Sequence, residues 1–308
     1  MTTDLYDQLQ INVAVRAQGL SKSFGKKQAL TGLDFQIDSP SITGLLGRNG
    51  AGKTTLLKMC AGHIPPSNGL LQVWGKAPLN NLNVLSMLIY STHDVSYSQG
   101  ISLRAILNDY VRFFPNFDND FATGLLEYFD LDVTSRYARL STGQKSTFNF
   151  AAALAARAPL TMLDEPTLGM DVAVRKAAYE VLVREYSEHP RCFIIASHLM
   201  AELENLLDSI LILDAGKLVL HDSIDELRQS AYQLRGPAAA LEAFTAGKKI
   251  IRVDQGEITT TVVVHEPAAE EVQREAQAAG LHVSALSPEE LYICLTQESK
   301  GGDLECLW

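Results

Sequence analysis

The stretch GLLGRNGAGKTTLL, Gly44 to Leu57, constrains this chain more than any other part of it. Gly47, Gly52, Lys53 and Thr54 satisfy the spacing G-x-x-x-x-G-K-[ST], and Gly50 adds a further glycine inside it. An apolar run, Ile42 to Leu46, precedes the loop, and a helix-compatible run, Thr54 to Cys60, follows it. Strand, loop and helix in that order are what a phosphate-binding loop requires. A polyphosphate is held by backbone N–H groups wrapped around it at a helix N-terminus, where the helix dipole is positive. Side chains would obstruct the wrapping, hence glycine at 47, 50 and 52. Lys53 then reaches the outer phosphates and the Thr54 hydroxyl ligates Mg2+. The alternative is a Gly-rich turn capping an ordinary helix, which the full spacing and its flanks disfavour.

With 308 residues there is room for one large domain and a small one. Hydrophobic residues make up 46% and charged residues 20%, a globular balance with no block disordered by composition. A net charge of −10 argues against a chain devoted to gripping nucleic acid, so no such partner is expected. Cys60, Cys192, Cys294 and Cys306 stand far apart with no C-x-x-C pair and read as reduced thiols. The start, MTTDLYDQLQ, lacks the features of a signal peptide. No apolar run approaches the roughly 18 residues of a membrane span. A cytosolic chain is expected.

Alternating apolar residues predict strands around Ile11, Val13 and Val15 and around Leu33, Phe35 and Ile37, with a turn at Thr31-Gly32. Phe24 lies between them, just ahead of Gly25 and two lysines; on pattern alone it reads as core rather than as a flat face for a purine. Leu70 to Trp74 and Val84 to Tyr90 are further strand candidates. From Ile101 to about Arg157 the period becomes helical, which predicts an insertion of helices between strands, with Phe113, Phe114 and Phe117 best explained as core, the alternative being an exposed apolar knob for a partner. Residues 160–164 (LTMLD) form an apolar strand ending in Asp164, with Glu165-Pro166 next. A carboxylate there, downstream of a phosphate loop, anchors Mg2+, the alternative being a strand-end acid in solvent. Cys192 to Ala196 is another strand, closed by Ser197-His198, and a hairpin is expected around Asp214-Ala215-Gly216. Strands and helices alternating over residues 40–200 predict an α/β layer with a mainly parallel sheet.

Beyond about Arg228 the composition changes. Short elements follow in the order β-α-β-β-α-β, with Pro237 and Pro267 starting the helices and Gln255-Gly256 turning the central hairpin. A small ferredoxin-like α+β accessory domain over 229–308 is expected, with a helix from Pro288 and a short tail.

Taken together, residues 11–228 resemble the ATP-binding subunit of an ABC transporter. GRNGAGKT at 47–54 is similar to the family's Walker A loop, and LTMLDEP at 160–166 to Walker B with the catalytic glutamate. LSTGQ at 140–144 is similar to the ABC signature, Leu168 to Asp171 to the D-loop, and His198 to the switch histidine. A phosphate loop occurs in many ATPases, whereas LSTGQ shortly before LDEP is far more specific. The resemblance implies a P-loop, RecA-like core with an antiparallel β subdomain and a helical subdomain at about 95–158.

It also implies a mechanism. Two such domains pair head to tail, as a homodimer or with another ABC ATPase subunit. Ser141, Gly143 and Gln144 of one then close over ATP held by Asn49, Gly50, Gly52, Lys53, Thr54 and Thr55 of the other. Glu165 polarises the attacking water and His198 holds the γ-phosphate, while Thr54 and Asp164 hold Mg2+. Phe24 becomes the adenine platform. Two positions depart from the family pattern: Thr142 replaces a glycine of the signature, and His93 stands where the Q-loop glutamine belongs, with Gln99 a few residues late. The resemblance assigns His93 to Mg2+ or water. FFPNFD, Lys145-Ser146 after the signature and the short C-terminal domain look most similar to bacterial exporter-type subunits whose transmembrane permease is a separate chain. Docking on that permease would hold the subunit at the inner face of the cell membrane. The competing reading is a soluble ABC ATPase acting on ribosomes or DNA.

Overall fold

The computed structural model of the chain describes residues 12–256 and 259–297. Ile11, Cys306 and the expected tail lie outside the described residues. Two compact units are distinguishable. One holds the described residues up to His198 together with Leu211–Leu218; the other holds Leu199–Ile210 and the described residues from Val219 onward.

The first unit opens with β1 (Val13–Phe24), β2 (Lys27–Asp38), β3 (Ser41–Leu46), α1 (Lys53–Cys60) and β4 (Asn68–Val73). β1 pairs antiparallel with both β2 and β4, giving a three-stranded sheet in the order β2-β1-β4. The hairpin reverses at Gly25-Lys26 rather than at the expected Thr31-Gly32. Pairing moves from Leu20↔Leu33 to Lys22↔Leu30, two steps on β1 against three on β2. Thr31-Gly32 is therefore a bulge within a continuous strand, with Gly32 at φ 57. Glycine suits a turn and a bulge equally, so pattern alone misplaced the reversal.

Next come α2 (Leu82–Leu85), β5 (Leu88–Thr92) and β6 (Leu160–Asp164). Val84 to Tyr90, expected as one strand, is split. Parallel pairing starts only at Leu88↔Leu160, because β6 itself starts there, just after Pro159. The residues ahead have no strand neighbour and close a helical turn on Asn81 O instead.

Between β5 and β6 lies the helical insertion: α3 (Leu103–Phe113), α4 (Asn119–Tyr128) and α5 (Thr142–Ala155). Ser102 and Asp118 cap the first two, each side chain accepting a backbone N–H. The aromatics of FFPNFD are not core as expected. Phe113 is 73% exposed, and Phe114 and Phe117 are half-buried against the Tyr110 ring, at 5.5 and 5.7 Å between centroids. α3 buries Leu103, Ile106 and Leu107 near its start, and its last turn runs past that core. A charged cluster joins the insertion to the layer beneath it. Glu185, buried on α6 (Val172–Glu188), accepts from Arg157 at 3.2 Å and Arg191 at 3.0 Å, and Arg157 also pairs with Asp118 at 3.0 Å.

β7 (Cys192–Ser197), β8 (Ser209–Asp214) and β9 (Lys217–Ser223) complete a six-stranded sheet in the order β5-β6-β7-β3-β8-β9. The facing ends of β8 and β9, Leu211–Leu218, belong to this unit. β3, β6 and β7 are buried along their whole length, as expected of parallel strands covered on both faces.

The second unit starts with α7 (Met200–Leu203) and α8 (Ile224–Gln229), on which α11 (Pro288–Gln297) packs. Between α8 and α11 run β10 (Tyr232–Gly236), α9 (Ala238–Thr245), β11 (Ile250–Gln255), β12 (Thr260–Val264), α10 (Glu270–Ala278) and β13 (His282–Ala285). The strands form an antiparallel sheet in the order β11-β12-β10-β13. Its core is Tyr232, Leu234, Leu241, Val262, Val264, Ala276 and Leu281.

Candidate active site

The carboxyl edge of the parallel strands collects three segments that lie far apart in the chain. Register pairs Leu46 with Ser197 and Asp164 with Ala196, so the ends of β3, β6 and β7 are level. The loop after β3, Asp164-Glu165 and Ser197-His198 therefore emerge together, where open α/β sheets bind ligands. An open cleft of about 640 Å³ lies there, lined by Phe24, residues 49–55, His93 and Glu165 among others.

The loop is held in shape by what surrounds it. Gly52 caps α1 at φ 111, and a Cβ there would run into the Leu30 side chain and within 3.0 Å of Ala29 O. No other residue fits that combination of backbone and space. Lys53, the first residue of α1, is buried; its Nζ donates to Gly47 O at 2.6 Å and lies 3.6 Å from Glu165 Oε1. Thr54 and Thr55 complete the first turn, with their N–H groups at the positive end of the helix.

Glu165 adopts φ 49, a conformation costly for a non-glycine residue, and its backbone N–H donates to Ala196 O at 2.9 Å. That bond fixes the residue at the end of β7. Its carboxylate lies 3.0 and 3.1 Å from His198 Nδ1. A cation, a carboxylate and an imidazole thus share one edge, a set whose chemistry suits polarising a water and holding a phosphate.

Asp164 is buried, and the Tyr90 hydroxyl donates to its Oδ2 at 2.9 Å. Its Oδ1 is buried with no hydrogen-bond partner among the described residues. Burial and the adjacent Asp164 charge push the Tyr90 phenol well above its usual value, so it stays a donor. His93 is brought to the cleft, with its Nε2 3.1 Å from Asp94 Oδ1. The strand end just before it is tied to α5 by Asn149, whose Nδ2 donates to Thr92 O at 3.2 Å.

Phe24 is half-exposed at the β1–β2 turn, not core as pattern alone suggested. Lys22 Nζ sits 5.0 Å from its ring centroid and donates to Pro65 O at 2.6 Å. Sequence reasoning missed Lys27, Gln28 and Arg48, and it gave the Ala215-Gly216 turn no part in the site, yet all line the cleft. Gly216 N donates to Ala51 O at 3.1 Å and its carbonyl accepts from Thr31 N at 2.8 Å, which docks the β8–β9 turn beside the loop. The lysines after Gly25 were the one available signal.

The signature residues are elsewhere. Ser141 caps α5 in a reciprocal box: its Oγ accepts from Gln144 N at 3.2 Å, and Gln144 Oε1 accepts from Ser141 N at 3.0 Å. Gly143 packs so closely on Gly169 that a Cβ would meet the Gly169 carbonyl. Ser146 Oγ donates to Leu168 O at 2.7 Å, which further fastens α5 to the 168–171 segment. Ser141, Gly143 and Gln144 do not line the cleft of their own chain; neither do Asp164 and His198, but Asp164 adjoins Glu165 and His198 contacts its carboxylate, and Glu165 does line it.

Comparison with known proteins agrees with this geometry. The family described as ABC transporter matches residues 30–168. The chain is 32% identical over 217 residues to the Nod factor export ATP-binding protein I of Rhizobium leguminosarum bv. viciae, covering 67% of this chain and 68% of that protein. The ABC transporter ATP-binding protein YtrB of Bacillus subtilis (strain 168) is 28% identical over 72% of this chain and 76% of its own length. The Bacitracin transport ATP-binding protein BcrA of Bacillus licheniformis is 27% identical over 71% and 72%. A solved structure titled "Structure of ATP binding subunit of ABC transporter" superposes with a TM-score of 0.63 at 23% identity, covering 70% of this chain and 92% of that one. The chain belongs to the ABC transporter family of ATP-binding subunits, and it binds and hydrolyses ATP. No helix among the described residues is long and apolar enough to cross a membrane.

Proposed function

We propose that this subunit is the motor of a bacterial exporter, with a separately encoded permease in the membrane and Mg2+ accompanying ATP. The observation that carries the reading is the meeting of Lys53, Glu165 and His198 at one sheet edge while the signature stands outside the cleft. Lys53 grips the outer phosphates, Glu165 polarises the water and His198 keeps γ-phosphate and water in line, which is positioning plus electrostatics. A second copy, or another ABC ATPase subunit, supplies Ser141, Gly143 and Gln144 head to tail and seals the γ-phosphate. Charge-assisted hydrogen bonds are worth about 1.5–3 kcal/mol each, so several formed together close the dimer on ATP and hydrolysis releases it.

Mg2+ fits the residues present. Among the described residues no three His, Cys, Asp or Glu side chains converge as a metal cage. Mg2+ is held through one or two carboxylates together with substrate phosphates. The unpartnered Asp164 Oδ1 and the Thr54 hydroxyl are the donors the chain offers, with His93 at the margin of the cleft. The printed names of two relatives, for Nod factor export and bacitracin transport, support a transport role. The permease would dock on the groove between the helical insertion and the His93 loop and place the subunit at the inner membrane face.

Ser141→Arg tests the shared site. In a Glu165→Gln background, ATP is expected to drive dimerisation on a sizing column, and the added arginine is expected to abolish it while ATP binding persists. Dimers that survive Ser141→Arg would refute head-to-tail closure. Affinity purification from membranes should recover a multi-span protein; ribosomes in its place would favour the soluble reading.

A further inference from the structure

Asp164 ends β6, and its carboxylate is bonded by a residue outside every sequence motif. Tyr90 lies on β5, where register pairs it with Met162 of β6 and pairs Thr92 with Asp164. Residues two apart on a strand share a face, so Tyr90 and Asp164 stand on the same face, one repeat out of step. The long phenol spans the offset, and its hydroxyl donates to Asp164 Oδ2 at 2.9 Å. The ring is braced by the edge of His63, 5.6 Å between centroids. The other carboxylate oxygen is left buried and bare. Such an arrangement is costly unless a cation completes it.

The geometry points to Tyr90 as a positioning residue for ATP hydrolysis, one that ties down one oxygen of Asp164 and presents the other to Mg2+. The inference rests on the Mg2+ reading above. A hydrogen bond to one oxygen restricts the carboxylate to a single orientation and leaves the second oxygen for the metal, the usual service of a group behind a metal ligand. Neither Tyr90 nor Asp164 lines the cleft, and the Tyr90 hydroxyl touches the Asp164 carboxylate, so its effect passes through that carboxylate. It also links the metal anchor to the strand that leads, three residues on, to His93.

Tyr90→Phe keeps the ring and removes only the donor. Mn2+ binding, followed by electron paramagnetic resonance with a non-hydrolysable ATP analogue present, is expected to weaken about tenfold or more. Metal-free binding of the same analogue should stay unchanged. Tyr90→Leu, which removes the ring as well, should show the same metal defect. A defect confined to the Leu variant would assign the role to packing and overturn the proposal. So would unchanged Mn2+ affinity in Tyr90→Phe while Asp164→Asn loses it. If Asp164→Asn itself left Mn2+ affinity intact, the metal reading would fail and the positioning role with it.

Discussion

Two ends of the proposed catalytic apparatus are built in the same unit by different means. At the sheet edge, Lys53, Glu165 and His198 are within reach of one another inside a single chain, at 3.6 Å and 3.0 Å. At the start of α5, Ser141 and Gln144 satisfy each other and do not line that cleft. A parallel sheet delivers the carboxyl ends of its strands to one edge, so it gathers groups that are remote in sequence. A helix N-terminus instead offers N–H groups outward, to an anion that arrives from elsewhere. The first end is assembled within one chain. The second is a complementary surface, whose proposed ligand is the phosphate held by another subunit.

The contrast breaks most sharply at Glu165. Glu165→Gln keeps the shape and removes the carboxylate proposed to polarise the water, so steady-state ATPase activity should fall about 100-fold or more while ATP still binds. Unaltered turnover would mean that the assembled end is not the reacting one. A smaller effect is expected at Gly143, where the added methyl of Gly143→Ala meets the Gly169 carbonyl. Overpacking of this kind costs about 1–3 kcal/mol, which urea unfolding of the purified chain would register. A wild-type midpoint would show the contact between α5 and the 168–171 segment to be soft. The smallest change is expected for Ser141→Ala, which loses a helix cap worth about 1 kcal/mol. Turnover at saturating ATP should drop with no change in ATP affinity of the monomer. An equal loss of affinity would put Ser141 inside its own cleft and erase the contrast.

Much of the site was legible from residues 44–57 and 160–166 because each is a local device: spacing alone puts glycines, lysine and threonine around a helix start. The resemblance pointed to His198, which meets Glu165, and to Phe24, which lines the cleft although pattern alone had assigned it to core. What remained illegible depended on partners. Thr31-Gly32 looked like a turn because nothing in the pattern distinguishes a bulge from a reversal until β1 pairs with β2. Val84 to Tyr90 looked like one strand because the start of β6, which limits it, lies far along the chain. Phe113 looked buried because an apolar residue in a helical period is usually core, yet the helix outruns the surface that covers it.

The sequence by itself determined the loop and helix proposed to handle phosphate and the order of their residues, since a loop and the helix that follows it are contiguous and need no distant partner. Only the tertiary structure decided which remote residues complete them. Tyr90 and Asp164, 74 positions apart, meet through the register of two parallel strands, and the β8–β9 turn is held by one backbone hydrogen bond to the loop at Ala51 and one to β2 at Thr31. Strand register is set by the burial of whole faces against one another, a cooperative property of the folded layer that no local spacing encodes.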